Sequence, residues 1–281
     1  MADEYVEITI PASLEPGELL DRLQGSEALG AWEDEGVLRL YWRADRWNSL
    51  SLENLRETLL VLGCSEAADH IGIRYLPDQD WNTRWTKSLT PIRIGRRLRI
   101  RQSWNPRDPD FGGTELVIDP KRAFGTGYHA TTQLVIEWLE DHIRGGERLL
   151  DIGTGTGVLA MTALRFGAAS ALAADNDPVA VECAGENAAA NGFGPELELR
   201  VASFEMLDMA DFDVIVANLD LKTILLLCRR LPRRVRPGAR ICLSGLLIEN
   251  LQEVREAVSG FGGNIIGTRE REEWIALEAV F

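Results

Sequence analysis

The residues with the clearest chemical potential lie in Asp151-Ile152-Gly153-Thr154-Gly155-Thr156-Gly157. Leu149 and Leu150 precede them as the end of a buried strand, and a helix is expected to open near Val158. Glycine suits such a turn because it tolerates positive φ and because a ligand can approach a backbone without Cβ atoms. A strand, a glycine-rich turn and a helix N-terminus together form a nucleotide-type site at the carboxyl edge of a parallel sheet. Asp175 closes the next expected strand, where a carboxylate can accept both hydroxyls of a ribose. Asn218 ends a later strand at the same edge. Its carboxamide oxygen can hold the far end of the ligand or an incoming amine. For Asn176 and Asp177 the competing reading is helix capping.

Spacing narrows the ligand. A dinucleotide fingerprint needs Gly-x-Gly-x-x-Gly/Ala, and Val158 occupies its third position. A phosphate-binding Walker loop needs a following Gly-Lys-Ser/Thr, which is absent.

The elements that must position these residues read as two patterns. From residue 116 onward strands are expected at 116–118, 148–152, 171–174, 197–201, 213–217 and 239–244. Helices are expected at 131–143, 158–166, 179–190, 221–231 and 249–259, the first capped by Thr131 or Thr132. Such alternation implies a parallel sheet with right-handed crossovers. Two final runs, 264–269 and 274–281, predict a hairpin that inserts one antiparallel strand. Before residue 77 the order is β-α-β-β-α-β, with strands at 5–10, 31–34, 37–43 and 70–76 and helices at 14–23 and 52–62, the latter capped by Ser51. That order is ferredoxin-like. The expected organisation is a recognition or purely structural domain at 1–76, a junction at 77–115 carrying Trp81, Trp85 and Trp104, and an α/β ligand-binding domain at 116–281.

Composition sets the class. The 281 residues are 45% hydrophobic and 26% charged, enough to bury a sizeable core without a disorder signature. No apolar run approaches the roughly 20 residues that span a bilayer, and the acidic start has no apolar leader. Four scattered cysteines read as reduced thiols of a cytoplasmic protein, and three separated histidines give no metal set. A net charge of −14 argues against nucleic acid as a direct partner and fits a cationic one. Two arginine-rich stretches, 93–101 and 229–240, oppose that average and read as solvated faces, with a phosphate patch as the alternative.

The acidic residue two positions before the first glycine, in Asp-x-Gly-x-Gly-x-Gly, resembles class I S-adenosylmethionine-dependent methyltransferases. Further segments, in order, sharpen the likeness: Ala123-Phe-Gly-Thr-Gly-Tyr-His-Ala-Thr-Thr132, Asp175-Asn-Asp-Pro178, Glu186-Asn-Ala-Ala-Ala-Asn-Gly192, Val216-Ala-Asn-Leu219 and Ser244-Gly-Leu246. With Trp81-Asn-Thr-Arg-Trp85 upstream and Glu273-Trp274 at the end, residues 80–281 resemble the ribosomal protein L11 methyltransferase family. The N-terminal module matches only in order and size.

The resemblance implies a Rossmann-like methyltransferase sheet, an N-terminal recognition domain, and methyl transfer from S-adenosylmethionine to lysine ε-amines or the α-amine of a large-subunit ribosomal protein. The product would be S-adenosylhomocysteine, and a monomer suffices. Thr132, Gly153, Asp175 and Asn218 match the family's cofactor positions, with Phe124 and the Gly125-Thr126-Gly127 loop over the cofactor. The candidate cofactor set is completed by Thr131, Asp151, Thr154, Gly155 and Asn176. Asn218 and Leu219 would position the amine; His129 and Asp220 are further candidates near the chemistry. His-Ala-Thr-Thr at 129–132 departs mildly from the family's usual sequence, and Asp220 stands where small apolar residues are usual. A carboxylate there could hold an ammonium or alter the target. A related lysine methyltransferase with another target, a non-catalytic cofactor-binding module, and a nicotinamide oxidoreductase disfavoured by Val158 are the competing readings.

Overall fold

The computed structural model describes residues 4–11, 19, 23, 28, 30–34, 36–77, 89–119, 123–231 and 234–281. Most of the helix expected at 14–23, together with Trp81 and Trp85, lies outside them. Contacts divide the chain into two compact units, 1–88 and 89–281.

The first unit contains β1 (Glu4–Pro11), β2 (Gly30–Asp34), β3 (Val37–Arg43), α1 (Ser49–Val61), α2 (Ser65–Asp69) and β4 (Gly72–Pro77). Its sheet runs β2-β3-β1-β4 with every pair antiparallel. Alternation puts Leu38, Leu40 and Trp42 of β3 into the core beside Val6, Ile8, Leu55 and Leu59. Helix α1 begins three residues before the expected 52. Asn48, not Ser51, is its cap, accepting from the amides of Leu50 (2.9 Å) and Ser51 (3.2 Å). The Ser51 hydroxyl accepts in return from the Asn48 amide at 3.3 Å, a reciprocal box that satisfies otherwise unpaired donors. Helix α2, only five residues long, is too short to show a period.

The second unit opens with β5 (Ile92–Ile94), β6 (Leu98–Arg101) and β7 (Thr114–Val117), which form a small sheet of their own. The junction expected at 77–115 is therefore corrected from residue 89 onward. Ile94, Leu98, Ile100 and Leu116 are buried in the main core with Leu134, Val135 and Trp138, so this stretch is packed structure. The arginines of the first basic stretch are also accounted for. Arg99 and Arg101 both reach Glu115, Arg96 bonds Asp141 at 2.8 Å, Arg93 bonds Asp108 at 3.1 Å, and Arg97 stacks on Phe166.

The α/β part follows: α3 (Ala130–His142), β8 (Arg148–Ile152), α4 (Val158–Phe166), β9 (Ser170–Asp175), α5 (Pro178–Ala190), β10 (Leu197–Val201), β11 (Val214–Asn218), α6 (Leu221–Cys228), β12 (Arg240–Leu247), α7 (Leu251–Gly260), β13 (Asn264–Arg271) and β14 (Trp274–Val280). The sheet order is β10-β9-β8-β11-β12-β14-β13. Strands β10 to β12 pair in parallel, and β14 alone runs against its neighbours, between β12 and β13. The expected single antiparallel strand is thus present. Successive residues feed opposite faces: Leu149 packs with α3 and α4, whereas Leu150 packs with α6 and α7. The strand order reverses direction between β8 and β11, and open α/β sheets bind ligands beyond the strand ends at such a switch point.

Candidate active site

A cleft of about 710 Å³ opens at that switch point, lined by the ends of β8, β9, β11 and β12 and by the turns that follow them. Its floor is the glycine turn. Gly153, Gly155 and Gly157 have φ of 73°, 54° and 80°, the positive values expected of these glycines from the sequence. The neighbours that exclude a side chain at the turn are protein atoms rather than a ligand. A Cβ at Gly153 would strike the Leu219 side chain, and one at Gly155 the Phe124 carbonyl oxygen, both closer than 3.0 Å. The glycines thus let two other segments close onto the turn.

One of those segments is 123–127. The Phe124 carbonyl accepts from the Thr156 amide at 2.9 Å, and the Gly125 carbonyl from the Thr156 hydroxyl at 2.6 Å. Phe124 is thereby held at the cleft wall with its ring exposed. Gly127 packs on Ile100, and Gly125, Thr126 and Gly127 do not line the cleft. The other segment follows β11. The Leu219 amide donates to the Ser244 carbonyl at 3.0 Å, and Gly245 (φ 87°) leaves the room that lets the Leu219 backbone pass.

Of the candidate residues, Asp175, Asn176, Asn218, Leu219, Thr131, His129 and Asp220 line the cleft. The Asp175 carboxylate accepts from the amides of Gly155 (2.9 Å) and Asp177 (3.0 Å). Each of its oxygens keeps capacity for one more donor. The Asn218 amide donates from Nδ2 to the Thr132 hydroxyl at 3.4 Å, which leaves its carbonyl oxygen available as an acceptor.

Asp151 and Thr154 do not line the cleft. Both are buried, with the Thr154 hydroxyl donating to Asp151 Oδ2 at 2.6 Å and the Ala160 amide to the same oxygen at 3.3 Å. Asp151 therefore ties the glycine turn to the first turn of α4. Burial pushes its pKa up to about 7, against the lowering effect of those two bonds, and Asp175 adds a smaller upward push. Thr132, buried, supports Asn218 from behind and is not itself a wall of the cleft.

His129, not Thr131 or Thr132, caps α3, accepting on Nδ1 from the Thr131 amide at 3.4 Å. His129 Nδ1 also lies 2.8 Å from the Thr131 hydroxyl, a contact in which either partner can donate according to the tautomer. The His129 ring sits edge-on to Phe124 (5.4 Å between centroids) and Trp274 (4.8 Å). Asp220 caps α6.

Sequence reasoning did not single out Ser203, Phe204 and Glu205 or the role of Trp274. The first three follow the end of β10 just as Asp175 and Asn218 close β9 and β11, so inspecting every parallel-strand end would have found them. Trp274 carried no such local signal.

The donor set fits a nucleoside bearing a charged tail. The volume is within the roughly 300–1,000 Å³ of small-molecule sites. The carboxylate of Asp175 suits a diol, and Ala180, Ala202, Phe204 and Leu226 give apolar walls.

A family model described as ribosomal protein L11 methyltransferase (PrmA) matches residues 13–281. The chain belongs to this family. It is 37% identical to the ribosomal protein L11 methyltransferase of Azotobacter vinelandii, covering 89% of this chain and 82% of that one. It is 40% identical to the protein of that name from Pseudomonas paraeruginosa, over 78% and 73%. The crystal structure of a ribosomal protein L11 methylase from Lactobacillus delbrueckii subsp. bulgaricus is similar with a TM-score of 0.64 and 30% identity, over 68% of this chain and 98% of that one. The protein is an S-adenosylmethionine-dependent methyltransferase with a mostly parallel Rossmann-like sheet and a small N-terminal antiparallel-sheet domain. No described helix is long and apolar enough to cross a membrane.

Proposed function

We propose that the enzyme methylates amines of ribosomal protein L11, lysine ε-amines or the N-terminal α-amine, as a monomer in the cytoplasm without direct nucleic-acid or membrane contact. The observation that carries this reading is the placement of Asn218 and Leu219 in one cleft with Gly153, Gly155 and Asp175. Asp175 would hold the ribose of the cofactor's nucleoside over the floor of the glycine turn, and Phe124 would close over it. S-adenosylmethionine supplies an electrophilic methyl on a sulfonium. The amine must be neutral to attack, and a free lysine has a pKa of about 10.4. The Asn218 carbonyl oxygen would accept an N–H bond from the amine and aim its lone pair. Apolar walls disfavour the charged amine by removing water from it. Orientation alone can supply on the order of 7–11 kcal/mol of barrier lowering, so no strong base is required. The N-terminal unit, 1–88, is assigned to substrate recognition. Asp220 favours a second reading, a different basic protein as target.

Transfer of labelled methyl to purified ribosomal protein L11 tests the proposal, with total ribosomal protein as a parallel acceptor. Label on that one protein is the expected result; no label on any acceptor overturns the reading. Asn218→Ala should lower kcat on the order of 100-fold, the size of one transition-state contact of about 3 kcal/mol. Binding of S-adenosylhomocysteine should persist. A non-catalytic module would bind cofactor without turnover in either form.

A further inference from the structure

We propose that Asp220 is a specificity-determining residue that captures the cationic amine of the substrate in the cleft before methyl transfer. This rests on the methyltransferase reading above. Asp220 directly follows the Asn218-Leu219 tip of β11 and lines the same cleft. Its carboxylate is already fixed. Oδ1 accepts from the Thr223 amide at 3.0 Å and Oδ2 from the Thr223 hydroxyl at 2.6 Å, as the cap of α6. A carboxylate has about four lone-pair sites, so acceptor capacity remains after the cap is made. The Thr223 hydroxyl bond, aided by nearby amides, holds its pKa below the ordinary aspartate value. Asp220 is therefore ionised at neutral pH, a poor base and a good partner for N–H⁺ donors.

The surrounding charge points to the same ligand. Asp175, Asp177 and Glu205 line the cleft, and among the described residues His129 is the only lining side chain able to become cationic, with no Lys or Arg in the lining. Lys222, next along α6, is exposed and outside the lining. A protonated amine is what a fixed, ionised acceptor in such a field binds. A neighbouring carboxylate also favours the charged amine, so Asp220 strengthens binding while retarding loss of the proton.

D220N isolates the charge, because Asn caps a helix about as well as Asp. The KM for ribosomal protein L11 should rise roughly three- to tenfold and lose much of its salt dependence. The value of kcat should not fall, and the acidic limb of its pH profile should move to lower pH. D220S, a second capping residue, should repeat the pattern, with thermal unfolding of both variants near wild type. An unchanged KM and salt slope in both variants, or a fall in kcat at constant KM, overturns the assignment. Failure of the wild-type enzyme to methylate the protein instead overturns the reading on which the assignment rests, and the assignment with it.

Discussion

Replacing Gly155 by alanine tests the claim that the glycine turn exists to admit a second chain segment. Two effects combine there. Residue 155 has φ of 54°, a left-handed conformation that costs a side-chain-bearing residue about 1–2 kcal/mol. The new Cβ would also sit closer than 3.0 Å to the Phe124 carbonyl oxygen, a backbone atom that cannot rotate away. Relieving that contact pulls segment 123–127 off the turn, and with it the two bonds that Thr156 makes to Phe124 and Gly125. Buried polar groups left unpaired cost about 1–3 kcal/mol each. A displaced cleft wall should therefore weaken ligand binding by about 3 kcal/mol, on the order of 100-fold. Gly192→Ala is the matched control: φ is 71° but nothing lies within 4 Å of a Cβ there. It should lose about 1–2 kcal/mol of stability and keep its affinity. Calorimetric titration with S-adenosylhomocysteine, alongside urea unfolding, reads both quantities. Wild-type affinity in Gly155→Ala would refute the reasoning, because it would leave close approach without a consequence.

Asp151, whose pKa is raised to about 7 by burial, makes stability pH-dependent. The native state holds a proton that the unfolded chain releases near pH 4, so this stabilisation is full below about pH 4 and lost as pH rises to about 7. The shift corresponds to about 4 kcal/mol, and the stability difference between wild type and Asp151→Asn should change by that order across the window. A difference independent of pH, measured by urea unfolding, would contradict this. Asp175→Asn removes a charged acceptor and should weaken S-adenosylhomocysteine binding by about 10- to 100-fold, as expected for hydrogen bonds to a charged group; isothermal titration measures it. Asn48→Ala should destabilise the first unit by about 1 kcal/mol through loss of its helix cap, seen as a lower unfolding midpoint of that unit by hydrogen exchange.

Much of the site was legible because its signals are local. The alternate glycines demand positive φ wherever they sit, and strand-ending Asp175 and Asn218 are set by a period of two followed by a helix. The alternation of strands and helices likewise led to the parallel sheet and its one antiparallel insertion. Local signals failed where two side chains competed for one role. His129 and Thr131 are both able to cap α3, and the His129 ring prevailed because it is anchored between Phe124 and Trp274. Residues 92–115 fall in the stretch read as a junction, since strands of three and four residues among arginines are too short to declare a buried face.

The chain by itself determined the turn, the acceptors at the strand ends and the family likeness, because each depends on residues close in sequence. Which of those residues face the ligand was decided only by tertiary structure. Asp151 and Thr154 belong to the same motif as Gly153 and Gly155, yet they turn inward to brace α4. Trp274 reaches His129 only because β14 inserts beside β12. Sheet order follows from burying both apolar faces at once, and that long-range packing is what gathers distant strand ends into one cleft.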